Sequence, residues 1–144
     1  MTDNMKSKDT ILFIGDTSYW ATLANSFLIQ NFDTVDSIFW EAGGASQNIT
    51  SLWEGDWIVS FKSDMILSKE TLNRAKKGGI NFHPAPPKYR GIGGYYYATF
   101  ENESYFGATC HLMDYNIDSG QIIDTIYFPV LPSDDPFRIE QRPA

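Results

Sequence analysis

Cysteine and long apolar runs are both scarce in this sequence. Cys110 is the only cysteine among 144 residues, so neither an internal disulfide nor a four-cysteine zinc site can form. The uninterrupted apolar stretches are far shorter than a membrane span, and residues 1–10 lack the apolar run of a signal peptide. We therefore expect a cytoplasmic protein that does not act at a membrane.

Positive charge is also in short supply. Eleven Lys and Arg residues stand against 18 Asp and Glu residues, which leaves a formal net charge of −7. Proteins that bind nucleic acid over a broad surface are usually basic, so we expect no nucleic-acid partner. Hydrophobic residues at 42% and aromatic residues at 15% are plentiful, which excludes a disordered chain.

The pattern along the chain predicts a flexible leader over residues 1–10 and a single domain over residues 11–144. Short apolar runs predict strands at 11–14, 35–40, 57–61, 80–83, 105–113 and 122–130. Alternation of strands with helices favours an α/β, Rossmann-like fold, in which a mostly parallel sheet carries helices on both faces. The last two strands follow one another without a helix, so we expect them to pair antiparallel.

Helices are predicted from capping residues and from the residues that end them. The first helix is expected after Asp16 or Thr17, with Tyr19, Leu23 and Phe27 at near-helical spacing. The second is expected after Ser68, with Lys76 and Lys77 in its last turn before two glycines. A third is predicted over residues 94–100.

Two polar side chains lie at the end of the fourth predicted strand. Asn81 and His83 are two residues apart, so both point to one face of the sheet. A carboxamide beside an imidazole can stabilise a developing oxyanion, and ligands of such sheets bind beyond the carboxyl ends of the strands. On spacing alone, a histidine that is merely hydrogen-bonded is the commoner outcome.

The loops contribute a carboxylate and two cations. Asp118 lies between the last two strands in Ile117-Asp118-Ser119-Gly120, which by itself is an ordinary turn pattern. Lys88 and Arg90 flank Tyr89 ahead of several glycines, a stretch that could hold an anionic substrate but that does not match a phosphate-binding loop. Cys110 is expected to be a small core residue on the strand face opposite Thr109 and His111.

Five segments follow one another along the chain: Phe61-x-Ser63-x-x-Ile66-Leu67, Ile80-Asn81-Phe82-His83-Pro84, Tyr89-Arg90-Gly91, Gly107-x-Thr109-x-His111 and Ile117-Asp118-Ser119-Gly120. Taken together, these segments resemble the folate-dependent formyltransferases over about residues 11–130. That family includes glycinamide ribonucleotide transformylase, methionyl-tRNA formyltransferase and the sugar N-formyltransferases. The loop that begins at His83 is most similar to the sugar N-formyltransferase branch.

The resemblance implies a set of site residues. It implies catalytic roles for Asn81, His83 and Asp118, with 10-formyltetrahydrofolate as the formyl donor and no metal. The pterin of that donor would lie between two backbone segments, Met65-Ile66-Leu67 and Tyr115-Asn116-Ile117. For the acceptor, the candidate contacts are Ser18, Lys88, Tyr89 and Arg90.

The implied reaction is transfer of a formyl group to an amine of a small acceptor, with a nucleotide-linked amino sugar as the first choice. Asn81 and protonated His83 would donate hydrogen bonds to the carbonyl oxygen, and Asp118 would favour the charged imidazole and relay the proton of the amine. Three alternatives stay open: a formyltetrahydrofolate hydrolase, a methionyl-tRNA formyltransferase-like protein, and an inactive folate-binding remnant. A metal-dependent enzyme using His83, His111, Asp114 and Asp118 is a further reading with little support.

The C-terminal segment resembles the start of another helix. Residues 132–139 carry Ser133 or Asp134 as an expected cap, and the sequence ends at Ala144 where members of the family usually continue. A chain without that packing would expose apolar sheet surface, and dimerisation is one way to cover it. We therefore expect a homodimer.

Overall fold

The computed structural model describes residues 5–41, 43, 52–91, 93–114 and 120–141. The chain forms two compact units, Met1–Ile80 and Asn81–Ala144. In chain order the elements are β1 (Ser7–Gly15), α1 (Tyr19–Asn31), β2 (Phe32–Phe39), β3 (Gly55–Phe61), α2 (Lys69–Asn73), β4 (Ala75–His83), α3 (Gly94–Phe100), β5 (Tyr105–Leu112), β6 (Ile122–Pro129) and α4 (Pro136–Gln141). Among these described helices, none has the length and apolar character needed to cross a bilayer.

The strands form a mixed sheet in the order β2-β1-β3-β4-β5-β6. β1 pairs in parallel with both β2 and β3, whereas β5 and β6 pair antiparallel. This arrangement confirms the predicted α/β fold, a mostly parallel sheet whose last two strands run antiparallel.

The core of the first unit is built around β1. Its residues from Ile11 to Gly15 are all buried, because β2 and β3 occupy its two edges. Ile11 and Phe13 pack with Ala21 of α1 and Val59 of β3. A strand that is covered on both faces needs an unbroken apolar run, which is why this segment shows no polar alternation.

The strand β1 also extends further towards the N-terminus than its apolar run. It begins at Ser7, so residues 7–10 of the expected leader belong to the sheet, while residues 1–4 lie outside the described residues. The backbone N–H of Thr10 donates to Oδ2 of Asp56 at 2.8 Å. The side chain of Lys8 forms an ion pair with Asp33. Polar contacts therefore hold this end of β1.

The first helix begins one residue later than predicted. Ser18 is its N-cap, and the Ser18 hydroxyl accepts the backbone N–H of Ala21 at 3.2 Å. The prediction of Asp16 or Thr17 as the cap is wrong, because a carboxylate oxygen of Asp16 instead accepts the backbone N–H of Ser18 at 3.1 Å.

The apolar residues of α1 are divided between two faces. Tyr19, Leu23 and Phe27 are exposed, with Tyr19 69% accessible. Ala21 is fully buried, and Leu28 packs beside it against the core. Ala21, Ala24 and Leu28 therefore form the buried face of α1, and Tyr19, Leu23 and Phe27 lie on its outer face.

The second helix is shorter than predicted. Ser68 caps it as expected, and its hydroxyl accepts the backbone N–H of Thr71 at 3.2 Å. The expectation that Lys76 and Lys77 close this helix is wrong, since the helix ends at Asn73 and both lysines belong to β4. These residues pair in the sheet instead of continuing the helix. Lys77 also donates to a carboxylate oxygen of Asp9 at 2.7 Å. The direct hydrogen bond to Asp9, followed by charge attraction, raises the pKa of Lys77.

The second unit has its own core. Tyr89, Ala98 of α3 and Phe106 of β5 pack with Ala85 and Ile139, all of them buried. The third helix spans Gly94–Phe100, the range that the sequence predicted.

The helix α4 begins after Asp135. A carboxylate oxygen of Asp135 accepts the backbone N–H of Arg138 at 2.9 Å. The expected caps, Ser133 and Asp134, are therefore wrong. The carboxylate of Asp134 accepts the N–H of Leu131 instead, in the preceding turn.

The buried ring of Phe106 should dominate the stability of this unit. We expect Phe106→Ala to lower the free energy of unfolding by about 3–5 kcal/mol, because it opens a cavity in a closed core. Phe100→Ala is the matched control, since that ring is 87% exposed and should change stability by about 0.5 kcal/mol or less. Urea unfolding measures both, and equal losses would contradict this assignment of the core.

Candidate active site

Two neighbouring strands each present a pair of polar side chains. Asn81 and His83 close β4, and Thr109 and His111 lie near the end of β5, each pair separated by one residue. Because successive side chains of a strand point to opposite faces, the two members of a pair lie on the same face of the sheet. The amide nitrogen Nδ2 of Asn81 lies 3.2 Å from Nε2 of His111, which joins the two pairs. All four residues belong to the second unit.

The contacts of His111 define how it meets Asn81. Its Nδ1 lies 2.8 Å from the backbone oxygen of Leu112, and a carbonyl oxygen can only accept. Nδ1 therefore carries the hydrogen, and in the neutral ring Nε2 has the lone pair that accepts from Asn81. This fixes the amide of Asn81 with its nitrogen towards β5.

His83 has the opposite arrangement. Its ring is buried, and its Nε2 lies 2.6 Å from the backbone oxygen of Tyr89. By the same reasoning Nε2 carries the hydrogen, so Nδ1 is the basic nitrogen of the neutral ring. The site thus combines an amide donor with an imidazole that can accept or return a proton through Nδ1.

A pocket of about 340 Å³, counted with its open mouth, lies against these strands. Its lining residues are His83, Pro87, Arg90, Thr109, His111, Gly120 and Ile122. The hydroxyl of Thr109 donates to the backbone oxygen of Ala85 at 2.7 Å, so β5 holds the chain where it leaves β4.

The loop after β4 carries a compact cluster of charges. The hydroxyl of Tyr89 donates to Glu101 at 2.6 Å and to Glu103 at 3.1 Å. The ammonium group of Lys88 lies 3.1 Å from the same Glu101 oxygen and also pairs with Glu103. Hydrogen bonds from Tyr89 and Lys88 lower the pKa of Glu101, and hydrogen bonds to Glu103 and Glu101 raise the pKa of Lys88.

Arg90 differs from its neighbour Lys88. Lys88 is compensated by two carboxylates, whereas Arg90 is exposed at the pocket and pairs with no carboxylate of the described part of the chain. Arg90 is therefore the better placed of the two predicted cations to meet an anionic ligand in the pocket.

Gly120 allows the chain to return closely to β5. A Cβ atom at this position would lie 1.6 Å from the backbone oxygen of Leu112, a distance that no side chain tolerates. The next residue, Gln121, accepts the backbone N–H of Leu112 at 2.8 Å. The glycine of the predicted Ile117–Gly120 motif is thus required by a backbone contact beside the pocket.

The remaining predicted site residues are placed as follows. Ser18 caps α1 in the first unit. Met65, Ile66 and Leu67 lie between β3 and α2 in the same unit, where the N–H of Met65 donates to the Ser63 hydroxyl at 3.1 Å and Ile66 is 72% exposed. The other four, Tyr115, Asn116, Ile117 and Asp118, lie outside the described residues.

Sequence reasoning missed the role of His111 as the partner of Asn81. It placed His111 on one strand face with Thr109, in a family motif and among the candidate metal ligands, and gave it no contact with Asn81. The available signal was its two-residue spacing from Thr109 within an otherwise apolar strand. Across residues 5–41, 43, 52–91, 93–114 and 120–141, no group of three or more metal-ligating side chains lies together. Cys110 is half-buried, and burial, with a contribution from Asp124, raises the pKa of its thiol.

Comparison with known proteins identifies the family. Residues 44–144, most of the chain, match the formyl transferase family. The chain therefore belongs to that family.

Two curated relatives illustrate its branches. GDP-perosamine N-formyltransferase of Brucella melitensis biotype 1 is 32% identical over 91 residues, which cover 62% of this chain and 35% of the relative. Methionyl-tRNA formyltransferase of Clostridium tetani is 38% identical over 69 residues, covering 47% of this chain and 22% of the relative. The chain thus spans about a third or less of the length of these relatives.

A solved structure supports the fold. The N-formyltransferase of Helicobacter canadensis, in complex with folinic acid and dTDP-3-aminofucose, superposes with a TM-score of 0.73 at 23% identity. The alignment covers 89% of this chain and 56% of that protein. The two proteins share the fold.

The two imidazoles should show opposite tautomers. The chain has two histidines, so NMR of the imidazole nitrogens resolves one pattern for each. In the neutral rings we expect Nδ1–H for His111 and Nε2–H for His83. The His111→Gln variant assigns the signals, and two Nε2–H rings would contradict this geometry.

Proposed function

We propose that this protein transfers a formyl group from 10-formyltetrahydrofolate to an amine of a small acceptor, a nucleotide-linked amino sugar first of all. One observation carries the proposal: in a formyl transferase chain, the amide of Asn81, oriented by His111, lies on the same strand face as the imidazole of His83. The proposal also gives Asp118 a catalytic role.

The amide and the imidazole suit the formyl carbonyl. The donor supplies a formyl group bonded to nitrogen, and attack by the acceptor amine forms a new carbon–nitrogen bond while the old one breaks. Asn81 would donate a hydrogen bond to the carbonyl oxygen as its negative charge grows. Loss of one such donor raises the barrier by about 2.7–4 kcal/mol.

Proton movement would fall to His83 and Asp118. The attacking amine must lose a proton, and the nitrogen that leaves must gain one. Because Nε2–H of His83 is directed to the carbonyl of Tyr89, proton exchange or donation to the oxyanion would use Nδ1. Asp118 would stabilise the imidazolium and relay the proton of the amine.

The donor would be held by backbone segments and the acceptor by the loop after β4. We propose Met65-Ile66-Leu67 and Tyr115-Asn116-Ile117 for the pterin, in keeping with the folinic acid in the complex of the Helicobacter canadensis protein. Arg90 is the best supported contact for a phosphate of the acceptor, and the same complex holds dTDP-3-aminofucose. Roles for Ser18, Lys88 and Tyr89 in acceptor binding stay predictions, as do a homodimer, a cytoplasmic location and the absence of nucleic-acid partners.

Single-turnover formyl transfer tests the catalytic assignment. We expect Asn81→Ala, His83→Ala and Asp118→Ala each to slow transfer by about 100-fold or more, because each removes a donor or a proton relay. Asn31→Ala, which changes an exposed amide at the end of α1, is the matched control and should keep the wild-type rate.

Two outcomes would overturn or redirect this assignment. Near-native rates in all three variants would contradict it. Release of formate in the absence of any amine, with no transfer when amino sugars or methionyl-tRNA are added, would identify a hydrolase instead.

Steady-state kinetics tests the role of Arg90. We expect Arg90→Gln to raise the KM for a nucleotide-linked amino sugar about tenfold or more, since a hydrogen bond to a charged group contributes about 1.5–3 kcal/mol. The KM for the folate donor should stay unchanged. Arg138→Gln, at an exposed guanidinium of α4, is the control, and an equal effect in both variants would argue against a specific contact.

A further inference from the structure

The orientation of His83 depends on a backbone group in a loop. Its Nε2 donates to the carbonyl oxygen of Tyr89 at 2.6 Å. The backbone N–H of Tyr89 donates in turn to the carbonyl of Pro86 at 3.0 Å, which closes a turn after β4. The prolines of this loop, Pro84, Pro86 and Pro87, restrict its backbone. The position of the Tyr89 main chain therefore determines where the carbonyl oxygen that accepts from His83 lies.

The side chain of Tyr89 is fixed at both ends. Its ring is buried and packs against Phe106, with 6.1 Å between the ring centroids. Its hydroxyl donates to Glu101 at 2.6 Å and to Glu103 at 3.1 Å. Lys88 pairs with both carboxylates, which reduces the repulsion between them.

The two glutamates are themselves held at the end of α3. The backbone N–H of Glu101 donates to the carbonyl of Tyr97 at 2.8 Å, and that of Glu103 donates to the carbonyl of Ala98 at 3.0 Å. The tyrosine hydroxyl thus connects the loop to a helix end that has its own hydrogen bonds. Burial, followed by the hydrogen bonds to both carboxylates, raises the pKa of Tyr89, so the phenol stays a donor.

We propose that Tyr89 is a positioning residue for His83: its hydroxyl, held by Glu101 and Glu103, fixes the backbone carbonyl that keeps the imidazole in the Nε2–H form. Nδ1 is then the nitrogen through which His83 exchanges protons. The catalytic consequence rests on the proposed function, whereas the positioning itself does not.

A purely structural role for the cluster makes a different prediction. If the hydroxyl served only to stabilise the loop, its removal would lower the melting temperature and leave the His83 ring unchanged in the folded protein. If it positions His83, the signals of that ring must change in a protein that is still folded.

NMR of the imidazole nitrogens separates these cases. In Tyr89→Phe we expect the His83 signals to move away from the pure Nε2–H pattern or to broaden by exchange, while those of His111 stay in place. Tyr97→Phe makes the same chemical change at a ring that is 60% exposed, and it should leave both histidines unchanged. Unaltered His83 signals in folded Tyr89→Phe would overturn the proposal.

Kinetics provides the second readout. We expect Tyr89→Phe to lower kcat about 10- to 100-fold with both KM values within about twofold of wild type, since misplacing a catalytic group weakens the reaction more than binding. A rise in KM with unchanged kcat would contradict positioning and would point to acceptor binding. If the wild-type protein transfers no formyl group, the proposed function fails and the NMR result alone decides the positioning role.

A second variant keeps the proposal testable if Tyr89→Phe does not fold. Replacement of both glutamates, Glu101→Gln with Glu103→Gln, leaves acceptors for the hydroxyl but removes their charge. We expect a smaller change in the His83 signals of the same kind. No change in that folded variant would overturn the proposal.

Discussion

A backbone carbonyl can accept a hydrogen bond but cannot donate one, and the candidate site depends on this constraint. The carbonyls of Tyr89 and Leu112 each face one imidazole nitrogen, at 2.6 Å and 2.8 Å. They therefore assign a hydrogen to Nε2 of His83 and to Nδ1 of His111. Because Nε2 of His111 is left with a lone pair, the amide nitrogen of Asn81 is drawn towards it. The donor set of the site thus follows from main-chain geometry.

The two cations beside Tyr89 have different surroundings. Lys88 is one residue from Tyr89 and is fully engaged by Glu101 and Glu103. Arg90, on the other side of Tyr89, contributes to the pocket wall. The side chains of Lys88 and Arg90, two residues apart, therefore have different neighbours. One sequence motif therefore supplies both a cation that holds the loop and a cation that lines the pocket.

The sequence predicted the parts of the fold that local patterns control. The apolar run of β1 and the range of α3 were both recognisable, because burial on two faces leaves an unbroken apolar run and glycine marks the start of α3. The extent of α2 was not recognisable from the sequence. Lys76 and Lys77 have the composition of a helix end, yet β4 gains more from pairing in the sheet than these residues gain from a further helical turn.

Asn81 and His83 were recognisable as a pair because period two is a local property of a strand. The contact of Asn81 with His111 was not, since it joins two strands and depends on their register. The caps of α1 and α4 were displaced by one residue for a similar reason. The carboxylates of Asp16 and Asp134 accept backbone N–H groups of the turns before the helices instead of capping the helices. Local composition does not show which N–H group such a carboxylate will bind.

Because the carbonyl of Tyr89 contacts His83, the side chain at position 89 affects the orientation of His83 only through where it places the main chain. A different side chain at this position can preserve the contact if the groups at positions 101 and 103 change to match it. Among homologous sequences, residue 89 should therefore covary with these two positions at the end of α3. It should vary independently of Asn81 and His83, although its main chain contacts His83.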